Sequence, residues 1–163
     1  TNMGFSKFCE ANGIDFVSTK VGDRYVLESM LQNGYNIGGE QSGHIIFLDH
    51  STTGDGELSG AMVLSIMKRT GEKLSDLAKI MERYPQVLIN VKVSNEGKLS
   101  FYTDKEVKAE INRVTEILGD TGRILVRVSG TEPLVRVMLE GENLEQIQTL
   151  AEEAAQVVRE RLA

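Results

Sequence analysis

A chain of 163 residues, 40% hydrophobic and 26% charged, can bury one modest core or two small ones and is not composed like a disordered segment. Its formal net charge of -6 and sequence pI near 5.0 exclude broad binding to duplex nucleic acid, which draws affinity from many Lys and Arg neutralising phosphates, so an anionic partner needs a local basic site. Cys9 is the single cysteine and His44 and His50 are the two histidines, which leaves no internal disulfide framework and no zinc cluster of usual spacing. No apolar run reaches membrane-span length and no signal-peptide pattern opens the chain, so a cytoplasmic protein is expected, without membrane or nucleic-acid partners and with no metal on its own residues.

In chain order, TNMGFSKFCEANG predicts a helix, because Phe5, Phe8 and Cys9 recur at i, i+3 and i+4 and Asn12-Gly13 stops it. IDFVST, residues 14–19, reads as a strand. GDRYVLESMLQNG reads as a second helix, with Asp23 as a cap near its start and Gly34 beyond its end. YNIGGE and HIIFLDH read as a hairpin-like pair around Gln41-Ser42-Gly43. GELSGAMVLSIMKRTG predicts a helix, and KLSDLAKIMERY a shorter one with Ser75 in its cap region. At Tyr84-Pro85 the pattern changes, since proline biases the residue before it away from helix, and a domain boundary is placed there, giving 1–84 and 85–163. QVLINVKV is a strand; TDKEVKAEINRVTEILGD a helix capped by Thr103 or Asp104; RILVRV and LVRVMLEG are strands; NLEQIQTLAEEAAQVVRERLA is a closing helix capped by Asn143. The order β-α-β-β-α predicts an antiparallel sheet with both helices on one face.

Two loops carry residues suited to chemistry. In GGEQSGH an extended backbone would send Glu40, Ser42 and His44 to the same side, and a carboxylate, a hydroxyl and an imidazole together suit a polyol or sugar; the same stretch also reads as a polar turn facing water. In RVSGTEPLVR, Ser129, Gly130 and Thr131 can turn so that successive N–H groups converge on an anion, both hydroxyls can donate, and Arg127 adds a fork matched to phosphate. The alternative is a tight turn with its arginines solvated or paired to Glu132 and Glu140. Arg24 in VGDRY could meet a phosphate or lie on the surface, and TTGDGE reads as a helix cap at Asp55 or as an anion-accepting helix entrance. There is no Walker A order and no nucleophile-elbow spacing around Ser42.

Taken in order, VGDRYV, GGEQSGH, STTGDG and RVSGTEPLVRVM resemble the third and fourth domains of the α-D-phosphohexomutases over nearly the whole chain. The resemblance implies an α/β layered domain lacking its first strand over 1–84, followed over 85–163 by a β-α-β-β-α domain of the TATA-box-binding-protein-like kind. It implies a family activity that interconverts hexose 6-phosphates and 1-phosphates through a bisphosphate, using a phosphoserine and one magnesium ion. Gln41 points to the branch acting on glucosamine phosphates. Glu40, Ser42 and His44 match the sugar loop; Arg127, Ser129, Gly130 and Thr131 match the loop holding the phosphate that is not being transferred; Gly22, Asp23 and Arg24 match a third ligand-facing loop. The phosphoserine and magnesium loops belong to the family's first two domains. The chain is therefore expected to be a C-terminal fragment, inactive alone, binding a phosphosugar and partnered by the N-terminal domains of its own enzyme or by a second copy of itself. A free-standing sugar-phosphate or anion-binding regulatory module is the alternative.

Overall fold

The computed structural model describes all residues 1–163 and divides into two units, Thr1–Glu82 and Arg83–Ala163.

In the first unit α1 (Met3–Ala11) starts where Asn2 turns its side-chain oxygen back to accept the Gly4 N–H at 3.0 Å. A left-handed Gly34 ends α2 (Asp23–Asn33), and its N–H satisfies the Met30 carbonyl left open by the last turn. A short antiparallel hairpin follows, β1 (Ile37–Gly39) and β2 (Ile45–Phe47), with Ile37 opposite Phe47 and Gly39 opposite Ile45. Asp55 caps α3 (Gly56–Thr70) through the Leu58 N–H, and a left-handed Gly71 closes it. One turn, α4 (Leu74–Leu77), completes the set.

Three expectations change here. Residues 14–19 form no strand, because an apolar extended segment becomes a strand only when it pairs along its length with another, and the backbone bond of this segment is a single one, from the Ile14 N–H back to the Cys9 carbonyl of α1 at 2.9 Å. The helix expected over KLSDLAKIMERY shrinks to Leu74–Leu77: its N-cap is Lys73, with no side-chain bond, and Ser75 lies inside the turn. Asp23 is the first helical residue and not the cap; Gly22 holds that position, and the Asp23 carboxylate accepts only the next N–H, from Arg24, at 2.8 Å.

The second unit runs β3 (Gln86–Lys92), α5 (Asn95–Ser100), α6 (Lys105–Leu118), β4 (Gly122–Val128), β5 (Leu134–Gly141) and α7 (Leu144–Leu162). Its sheet is antiparallel in the order β3-β5-β4. Alternation sorts the strands cleanly. Val87, Ile89, Val91, Val135, Val137, Leu139, Ile124, Val126 and Val128 join the core, where α6 brings Val107, Val114 and Leu118 and α7 brings an apolar stripe from Ile147 to Leu162. The expected layer is thus present, with one addition. Six residues are too few for periodicity to reveal α5, whose sign in the sequence is its cap: Ser94 Oγ accepts the Gly97 N–H at 2.9 Å.

Burial is unequal. The buried apolar residues outside the second unit are Met3, Cys9, Met30 and Ile46, and α3 has none. The opposite face of the second unit's sheet, turned away from this core, reads in three rows: Gln86–Glu140–Arg123, Leu88–Met138–Leu125 and Asn90–Arg136–Arg127. The Glu140 carboxylate is fully buried and takes Arg123 at 2.7 Å.

Candidate functional site

In the first unit three loops meet around Glu40. Glu40 Oε1 accepts the Gly22 N–H at 2.7 Å, joining the turn before α2 to the hairpin end. Gly22 has φ 134° and ψ 129°, a conformation open to glycine and strained for other residues. Glu40 Oε2 accepts from Ser42 Oγ at 3.4 Å, and Ser42 Oγ lies 3.1 Å from His44 Nδ1. A hydroxyl has one proton, so while Ser42 donates to Glu40 its oxygen accepts from His44 Nδ1–H. Gly54 comes from the third loop; a side chain there would meet the His44 ring at 3.2 Å.

Residues 40–44 reach this arrangement by a route other than strand alternation. The segment is a turn, closed by Glu40 N–H to the His44 carbonyl at 2.9 Å and Gly43 N–H to the Glu40 carbonyl at 3.1 Å. Gly43 adopts φ 99° to make it. Arg24 points away from any tight partner: its side chain is 81% exposed and sits 3.6 Å from Glu28, one turn along α2. With Asp23, Leu27, Ile46, Thr52 and Thr53 it lines a cleft of about 180 Å³ beside these loops.

In the second unit the polar turn joins β4 to β5. Ser129 is 3% exposed. Its N–H donates to the Leu134 carbonyl at 2.8 Å and its Oγ accepts the Glu132 N–H at 3.2 Å, so the serine closes the turn. Of the successive N–H groups expected to face an anion, that of Ser129 is spent within the turn, while those of Gly130 and Thr131 have no backbone partner. Arg127 leaves β4 on the sheet face turned away from the core and forms no ion pair or side-chain hydrogen bond. Directly opposite it, Arg136 bonds Glu132 at 2.9 Å, while its Nε is buried without a partner.

Two residues outside the expected set thus belong beside it, Gly54 and Arg136. The sequence signal for Arg136 was its cross-strand pairing with Arg127, which becomes visible once the turn fixes the register. Within the second unit Arg127, Ser129, Gly130, Thr131 and Arg136 are brought together; within the first, Gly22, Glu40, Ser42 and His44 are, with Asp23 and Arg24 on the adjoining cleft. One half offers hydroxyl-reading groups and the other guanidinium and amide donors, a division suited to a sugar and to a phosphate.

Comparison with known proteins gives the family. The sequence model for phosphoglucomutase/phosphomannomutase α/β/α domain III matches residues 1–84, and that for the same family's C-terminal domain matches residues 88–157. The chain belongs to the phosphoglucomutase/phosphomannomutase family, as its third and fourth domains. Phosphoglucosamine mutase of Caldanaerobacter subterraneus subsp. tengcongensis is 52% identical over 162 residues, covering 99% of this chain and 36% of that protein; the chain spans little more than a third of the length of such relatives. N-acetylphosphoglucosamine mutase of Aspergillus fumigatus has the same fold, with a TM-score of 0.85 at 20% identity over 99% of this chain and 37% of that one. The same fungal enzyme in complex with GlcNAc-6P and magnesium gives a TM-score of 0.80 at 18% identity over 99% and 38% of the two chains.

Proposed function

We propose that the chain is the recognition half of a phosphoglucosamine mutase, which interconverts glucosamine 6-phosphate and glucosamine 1-phosphate through a bisphosphorylated intermediate. Glu40, Ser42 and His44 read ring hydroxyls, with Gly22, Asp23 and Arg24 beside them. Arg127, Ser129, Gly130 and Thr131, joined by Arg136, hold the phosphate that is not reacting. The observation that carries the reading is the pair of register-matched guanidiniums, Arg127 and Arg136, next to two unspent amides. Like charges placed directly opposite in a sheet repel, and an anion between them turns that cost into attraction.

The chemistry of a bisphosphate explains why such a grip is useful. Each end of the intermediate must face the reacting group in turn, so the site that holds the idle end meets a primary phosphate in one half-reaction and an anomeric one in the other. Amides and guanidiniums read charge and oxygen geometry and ignore the carbon beyond. A loop that reads neighbouring ring hydroxyls tolerates the same reversal.

No group of three or more His, Cys, Asp or Glu side chains is arranged to hold a metal ion, so these residues do not fit magnesium. On this reading the magnesium ion and the phosphoserine lie in the remaining length of the enzyme, whose domains are the chain's partners, and the chain alone binds phosphosugar without turning it over. No helix is long and apolar enough to cross a membrane, and the reading places the protein with its sugar-phosphate substrate in the cytoplasm.

The test is a chimera in which these 163 residues replace the matching part of the Caldanaerobacter enzyme. Conversion of glucosamine 6-phosphate, lost again with Arg127→Ala, supports the reading. A folded chimera that binds no phosphosugar overturns it.

A further inference from the structure

The turn that presents Gly130 and Thr131 is held chiefly through Glu132, and two side chains reach Glu132 from outside the turn, Arg136 on β5 and Lys98. The Glu132 N–H goes to Ser129 Oγ, its carboxylate to Arg136, and its carbonyl accepts both the Leu134 N–H at 2.9 Å and the Lys98 ammonium at 3.1 Å. Lys98 stands on α5. That short helix is itself fastened to the far end of α7: the Ser94 N–H donates to the Leu162 carbonyl at 3.2 Å, and Gly97 lies so close that a methyl group there would overlap the same carbonyl oxygen. Beside it the Val93 N–H donates to the Pro133 carbonyl at 3.1 Å, on the next residue of the turn.

We propose that Lys98 is a positioning residue for the anion-holding turn, with α5 acting as a strut between the end of α7 and the Glu132 carbonyl. The inference rests on the phosphate-holding role given above to this turn, and adds a residue that touches neither sugar nor phosphate. The Glu132 N–H, carboxylate and carbonyl are all bound within or beside the turn, and the carbonyl, part of the Glu132–Pro133 peptide, is the group that Lys98 anchors. Releasing Lys98 loosens the Glu132–Pro133 peptide and with it the Glu132 backbone, whose N–H reaches back to Ser129 Oγ across Gly130 and Thr131, so the turn presenting those two amides is less firmly fixed. An ammonium also bonds a carbonyl more strongly than a neutral donor does, and it has no competing carboxylate among its partners.

The experiment uses the 163-residue chain, with inorganic phosphate as the probe. Amide hydrogen exchange at Ser129 and Glu132 is followed without phosphate, and the Gly130 and Thr131 amide resonances are followed during titration, in the parent and in the Lys98→Met, Lys98→Arg and Lys98→Gln variants. The expected result is faster exchange at both amides and a phosphate Kd raised about three- to tenfold in Lys98→Met, with the melting temperature unchanged. Lys98→Arg, which keeps a charged donor, restores both. Lys98→Gln separates anchoring from long-range charge: restored exchange with this neutral donor supports the strut. Unchanged exchange and Kd in Lys98→Met overturn the strut alone, and so does a weaker Kd with unaltered exchange, which would be attraction at a distance. If phosphate does not perturb Gly130 and Thr131 in the parent, the phosphate-holding role fails, and the exchange data still decide whether Lys98 orders the turn.

Discussion

Arg127 on β4 and Arg136 on β5 are register partners, yet Arg136 alone has a carboxylate, that of Glu132 at 2.9 Å. The uncompensated guanidinium is therefore Arg127. Removing it should relieve like-charge repulsion in the empty protein and remove attraction in the loaded one. Arg127→Ala is expected to leave stability without anion unchanged or raised by about 0.2–1 kcal/mol. Phosphosugar binding should weaken by about 1.5–3 kcal/mol, the range for a hydrogen bond to a charged group. Thermal melts with and without glucosamine 6-phosphate read both quantities, since a ligand stabilises the folded state in proportion to its affinity. An Arg127→Ala variant destabilised without ligand, or one as strongly protected by ligand as the parent, would contradict this.

Most helices and strands of the second unit were legible because they are long and one-sided. In α7 the residues from Ile147 to Leu162 repeat at helical spacing, and in β5 Val135, Val137 and Leu139 alternate with polar or half-exposed neighbours. IDFVST misled for a physical reason: apolar, β-branched residues favour strands, but a strand is a paired object and this segment has no pair in the unit. The candidate loops were legible as residue types. Their geometry was not, because it depends on hydrogen bonds between distant positions, such as the Gly22 N–H to Glu40, or on register, such as Arg127 to Arg136. Lys98 was invisible for both reasons together, as a single lysine on a helix too short to show a period.

The bond from Gly22 to Glu40 gives a second prediction. Alanine at position 22 would have to hold φ 134° and place its methyl 3.2 Å from the Tyr25 ring, a combination expected to cost about 1–3 kcal/mol of the first unit's stability. If the backbone instead relaxes, the N–H leaves Glu40 and the Ser42–His44 contact loses its anchor. Urea denaturation and the His44 ring resonances of Gly22→Ala test both routes. An unchanged midpoint with unchanged His44 resonances would show that this turn does not hold the hairpin end.

Glycines at two helix positions should respond with opposite sign. At Gly97 a Cβ would overlap the Leu162 carbonyl oxygen, which is backbone and cannot swing aside. Gly97→Ala must therefore push α5 off the end of α7, at about 1–3 kcal/mol. At Gly60, inside α3, a Cβ meets nothing within 4 Å, and alanine should stabilise by about 0.4–1 kcal/mol through the unfolded chain. Paired denaturation curves decide it; equal effects at both positions would contradict the close approach of α5 to α7.

Acid sensitivity of the second unit should come in part from Asp104. Its Oδ1 accepts the Val107 and Glu106 N–H groups at the start of α6, and its Oδ2 meets Arg161 Nε near the end of α7 at 3.1 Å. The Val107 bond first, then the Arg161 guanidinium and the Glu106 bond, hold its carboxyl below the ordinary carboxylate value against the opposing effect of burial. The sign follows from linkage: on acidification the unfolded chain takes up this proton before the folded one does. The stabilisation is thus complete above the ordinary carboxylate pKa and is lost as pH falls through the lowered folded value. Asparagine keeps a capping oxygen and gives up the charge. The stability difference between the parent and Asp104→Asn should therefore be largest at neutral pH and shrink steadily below the ordinary carboxylate range, as read by denaturation midpoints across that interval. Asp104→Ala, which also loses the cap, should remain less stable than Asp104→Asn at every pH. A difference between parent and Asp104→Asn that grows on acidification would mean that the carboxylate is not what ties the start of α6 to α7.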